Sequence, residues 1–115
     1  MKIDKEQIKN FDYFFSTIPI SFLIIEDNLQ IIYLNTHAEN YLSISSKNVI
    51  GKKLDSIFSF EKNIIKSIEN SLEYNSSFKE KYVRVNIQGK GESLVNVFFS
   101  KINDNDKLGM LLIES

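Results

Sequence analysis

A chain of 115 residues suits one compact domain and leaves no room for two. It holds no cysteine, which excludes a disulfide framework, a thiolate metal site, a cysteine nucleophile and a flavin–cysteine adduct. Its 14 basic and 15 acidic residues are interspersed, so it lacks the basic excess of a nucleic-acid binder, and no apolar stretch approaches the ~20 residues of a membrane span.

No apolar run follows Lys2, so the N-terminus does not read as a signal peptide. A soluble, cytoplasmic protein is expected, with neither nucleic acid nor membrane as a partner. Asp4 is a candidate N-cap, Gln7 completes a capping-box pattern, and Ile3 and Ile8 occupy the positions of a hydrophobic staple. Ile8, Phe11, Phe15 and Ile18 then recur at helical spacing. The pattern predicts an amphipathic helix within 1–18, ending near Thr17 because Pro19 disfavours helix at Ile18. That stripe can pack on the chain's own sheet or pair with the same helix of a second chain, and the residues are candidate dimerisation contacts.

Ser21–Ile25 and Ile31–Leu34 are apolar runs of strand length around the polar turn Glu26-Asp27-Asn28, a predicted hairpin. The period then changes. Asn35 is a good N-cap for about two helical turns over 36–42, and Ser46–Ile50 forms a second piece ending at Gly51, a natural cap glycine. Leu54, Ile57 and Phe58 continue the short helical segments. Ser59 is expected to cap a longer helix from Phe60 to about Tyr74, with Ile64, Ile65, Ile68 and Leu72 on one face. In 78–88, Val83, Val85 and Ile87 alternate with polar residues, as in a half-buried edge strand. Gly89-Lys90-Gly91 is a tight turn, and 20–25, 94–99 and 108–113 are apolar at both parities, so both faces of those strands should be covered.

Strands at both ends of one domain, with helices between them, should share one antiparallel sheet covered by the helices on one face. The other face needs a cover too, and the N-terminal helix and a second copy of the chain are the candidates. The chemistry of catalysis is thin. Glu26 and Asp27 are adjacent and point apart, Gly89-Lys90-Gly91 lacks the spacing of a phosphate loop, and the sole histidine, His37, reads as a surface side chain. Asn35 reads as a helix cap before it reads as a ligand contact.

The run Ile18 to Glu39, with its strand, acidic turn, Ile-rich strand and Asn-led helix, resembles the opening of a PAS domain. Val49-Ile50-Gly51-Lys52 resembles the family's Ile-Gly-Lys step. The turn Glu26-Asp27-Asn28-Leu29, the Ser-rich loop at 43–46 and the terminal run Gly109–Glu114 are similar to the sensory domain of NtrB-type nitrogen-regulation sensor histidine kinases. The resemblance implies an α+β fold with a five-stranded antiparallel sheet, helices on one face and an N-terminal capping or dimerisation helix, the PAS domain itself occupying 19–115. It implies a dimerising, non-catalytic input module with an output domain, such as a kinase, on its C-terminal side. A transcriptional regulator is the alternative setting. Haem-binding members take their ligand from the long helix, which here has no histidine, so neither haem nor covalent flavin is expected. A small molecule between sheet and helices remains an open expectation.

Overall fold

The computed structural model describes residues 19–61, 63–102 and 107–114. The amphipathic segment 1–18, with Ile8, Phe11, Phe15 and Ile18, lies outside them.

Among the described residues six strands form one antiparallel sheet, in the order β2-β1-β6-β5-β4-β3. β1 (Ser21–Ile25) and β2 (Ile31–Leu34) are the expected hairpin. β6 (Leu108–Glu114) pairs with β1 across almost the whole sequence, Ser21 opposite Leu112 and Ile25 opposite Leu108. β5 (Gly91–Lys101) lies beside β6, and β4 (Phe78–Ile87) beside β5. Four helices intervene: α1 (Thr36–Leu42), α2 (Ser46–Val49), α3 (Leu54–Ile57) and α4 (Ile64–Tyr74).

Two expectations are corrected. The sheet has six strands where five were implied, because Phe58–Phe60 is β3 and not the start of the long helix. Phe58, Ser59 and Phe60 pair with Ile87, Asn86 and Val85, so Ser59 sits in a ladder and α4 begins later, at Ile64. A three-residue Phe-Ser-Phe alternation is too short to declare a strand by itself; its partner comes from a distant part of the chain. For the same reason β4 is not an edge strand along its whole length. β3 flanks its Val85–Ile87 end, while its first half has no flanking strand among the described residues.

Alternation sorts side chains to the two faces. Leu23 and Ile25 of β1, Val83, Val85 and Ile87 of β4, Val95, Val97 and Phe99 of β5, and Leu108, Met110 and Leu112 of β6 form one buried cluster. Ala38 and Leu42 of α1, Val49, Leu54 and Ile57, and Ile64 and Ile68 of α4 complete it, so the helices cover this inner face. In α4 the apolar residues recur at helical spacing while Lys66, Glu69, Asn70 and Glu73 stay exposed. Burying Ile64 and Ile68 contributes about 1.5–3 kcal/mol each. α4 ends at Asn75, whose φ of 53° lets its amide reach Ser71 O.

Candidate functional site

The helical layer is tied to the sheet at Asn35. Its backbone is extended, with φ −79° and ψ 171°, and its side chain is fully buried. Oδ1 accepts from Ala38 N at 3.0 Å, which caps α1, and from Phe22 N at 3.1 Å. Nδ2 donates to Ile20 O at 3.0 Å. One side chain therefore joins the start of β1 to the first turn of α1. Sequence reading could find the cap, because Asn before a helix is a local signal. The two bonds to β1 are tertiary and had no such signal.

The edge of β2 is closed by the segment after α2. Gly51 N donates to Ile31 O at 2.7 Å, Ile31 N to Lys52 O at 2.9 Å, and Leu54 N to Leu29 O at 2.8 Å. The C-cap residue of α2 is Ile50, and Gly51 follows it with φ +88°, a conformation suited to glycine. Glu39 of α1 serves the next helix: its Oε2 accepts from Ser46 N, the first amide of α2, at 2.8 Å. In the β1–β2 turn Leu29 adopts φ 68° and is nonetheless buried in the core. Burial of its side chain offsets a backbone that costs about 1–2 kcal/mol for a non-glycine residue.

Between sheet and α4, the expected place for a small ligand, Ile64, Ile68, Val83, Val85, Val95 and Val97 belong to one continuous core. Ser21 Oγ, facing this side from β1, is buried with no hydrogen-bond partner among the described residues. His37 is half-buried and stacks on Tyr41, centroids 6.0 Å apart and planes 6° apart. Among the described residues no three acidic or histidine side chains are placed to share a metal ion.

The opposite face of the sheet is the more telling surface. Parity and register put Phe22, Ile24, Tyr33, Leu94, Phe98, Leu111 and Ile113 there. Ile24 and Tyr33 are buried, Phe22, Phe98, Leu111 and Ile113 are half-buried, and Leu94 is 41% exposed. Among the described residues Ile24 is thus covered and the outward residues of β5 and β6 are only partly so, while the segment 1–18, one expected cover, lies outside them. A groove of about 770 Å³ opens on this side, walled by Phe22, Phe98 and Leu111, with Lys79 and Lys101 also lining it. Gly109 underlies Phe22: a Cβ there would come 3.2 Å from Phe22 Cε1. Phe22 is also the residue whose amide Asn35 holds, so the groove wall and the cap of α1 meet at one backbone unit. At the far end, a bulge between Glu80 and Val83 turns Tyr82 to φ 57° and 65% exposure, with Tyr82 N donating to Asn96 Oδ1 at 3.0 Å.

The described residues thus form an antiparallel sheet with helices on one face and an apolar, partly open opposite face. The PAS domain family model matches residues 19–114, and the chain belongs to that family. It is 32% identical over 94 residues to the sensory histidine kinase/phosphatase NtrB of Escherichia coli O157:H7. That match takes in 82% of this chain and 26% of the relative, so the chain spans about a quarter of the protein it resembles. The same figures hold for NtrB of Shigella flexneri. Among solved structures, the PAS domain of nitrogen regulation protein NR(II) from Vibrio parahaemolyticus superposes with a TM-score of 0.75 at 20% identity, over 90% of this chain and 96% of that one. The LOV domain of the Erythrobacter litoralis EL346 blue-light activated histidine kinase gives 0.70 at 12%, over 84% and 96%. These likenesses establish the fold.

Proposed function

We propose that the chain is the signal-input module of a two-component sensor histidine kinase of nitrogen-regulation type, and that it works as a homodimer. The observation that carries the dimer is the outer sheet face: half-buried Phe98, Leu111 and Ile113 beside exposed Leu94 leave apolar surface that a soluble protein ordinarily covers. The stripe Ile8, Phe11, Phe15 and Ile18, close in sequence to Phe22, supplies matching apolar side chains from the same or a second copy. The kinase setting is supported by the likeness to NtrB. Its output path would leave through β6, which is central in the sheet and ends beside Val95. The domain itself is not catalytic; phosphoryl transfer would belong to the remainder of a longer protein. Among the described residues no helix is long and apolar enough to cross a membrane, in keeping with a cytoplasmic setting.

Light scattering after size exclusion tests the dimer. Residues 1–115 should elute at twice the 13.4 kDa chain mass, and Phe11→Glu with Phe15→Glu should halve it. A monomer at high micromolar concentration for the unsubstituted chain overturns the dimer. A chimaera with this chain in place of the matching segment of E. coli NtrB tests the input role by autophosphorylation. A folded, dimeric chimaera without phosphorylation refutes it.

A further inference from the structure

Strand β5 carries a lysine at each end. Lys90 immediately precedes its first residue, and Lys101 is its last. Both reach the C-terminal turn of a helix in the inner layer. Lys90 Nζ donates to Tyr41 O of α1 and lies 3.7 Å from the centre of the Tyr41 ring. Lys101 Nζ donates to Leu72 O of α4 at 3.4 Å. The last four carbonyls of a helix have no amide to accept from within it, and the negative end of the helix dipole gathers there. Tyr41 O and Leu72 O both fall in that last turn, and neither helix has a basic residue of its own in it. The sheet thus supplies to each helix the cation that the helix's own sequence omits.

The geometry around Lys90 suits the task. It sits between Gly89 at φ +82° and Gly91 at φ +102°, and its amide closes the turn on Ile87 O at 3.0 Å. Gln88 N donates to Ile57 O at 3.0 Å, which anchors the hairpin tip against the end of α3. β5 itself is an interior strand of 11 residues, about 34 Å from end to end when extended, and the molecule is 35 Å along its longest axis. Its outward side chains Leu94, Asn96, Phe98 and Ser100 belong to the outer face.

We propose that β5 acts as a tie-bar: Lys90 and Lys101 clasp α1 and α4 to its two ends, so that a distortion imposed on the outer face at Phe98 shifts both helices together. The clasps are a property of the chain whatever its output; their use in signalling rests on the input-module reading.

Hydrogen exchange of residues 1–115, followed by mass spectrometry or NMR, tests this without a kinase, so its failure and that of the input role are separable. Lys90→Met should speed exchange of the α1 amides about tenfold, the combined effect of losing a helix-end cation and a cation–π contact, and leave α4 unchanged. Lys101→Met should speed the last turn of α4 about threefold and spare α1. Lys90→Arg, which keeps the cation, should retain protection, and Lys79→Met on the outer face of β4 should change neither helix. Phe98→Ala should speed both helix ends in the unsubstituted background and add nothing in the Lys90→Met, Lys101→Met double variant. Unchanged α1 exchange in Lys90→Met, acceleration spread evenly over the chain, or an equal Phe98→Ala effect with and without the lysines overturns the proposal.

Discussion

Asn35 offers the sharpest test of how the two layers are joined. Asn35→Ala removes the cap bond to Ala38 N and the bonds to Phe22 N and Ile20 O from a site with no solvent access. A lost N-cap costs about 1 kcal/mol. Each of the other two bonds holds a part-buried backbone group, and losing it costs about 1–2 kcal/mol. The three share one side chain and one cavity, so the terms overlap, and a loss of about 3–4 kcal/mol is expected from a domain stability of about 5–15 kcal/mol. With a urea slope of about 1.5–2 kcal/mol/M this moves the unfolding midpoint down by about 2 M, read by circular dichroism. Asn35→Ser keeps a cap oxygen but cannot span to β1, and should recover about 1 kcal/mol of the loss. If Asn35→Ala costs only about 1 kcal/mol, or Asn35→Ser is as stable as the parent, the side chain is a cap and no more.

Leu29 holds a left-handed backbone with a buried side chain, so Leu29→Ala and Leu29→Gly should both destabilise, by about 2–3 kcal/mol for Ala. Glycine should match or exceed alanine in urea midpoint, because it removes about 1 kcal/mol of backbone strain; alanine clearly ahead would contradict the strain. Gly109→Val should cost about 1–3 kcal/mol by crowding the Phe22 ring, whose Cε1 lies 3.2 Å from a Cβ position, and Ile102 at 3.7 Å. An unchanged melt with unmoved Phe22 ring resonances would show that the ring does not rest on Gly109.

Much of this molecule is decided locally and can be read from the chain alone. The polar turn between two Ile-rich runs specifies the β1–β2 hairpin, Asn35 announces α1, and the Ile64, Ile68 spacing fixes the buried side of α4, because turn chemistry, capping and periodicity depend on neighbours within a few residues. The pairing of both chain ends in one sheet also followed, since strands in one small domain must share a layer. What sequence could not decide was set by partners far along the chain. Phe58–Phe60 becomes a strand only because Val85–Ile87 lies alongside, and that same pairing moves β4 inward from the edge. The bonds from Asn35 to β1, and the reach of Lys90 to Tyr41 and of Lys101 to Leu72, join residues with no pattern between them. The lysine contacts exist because folding brings a helix end, with carbonyls that no amide of the helix serves, within a lysine's length of the sheet.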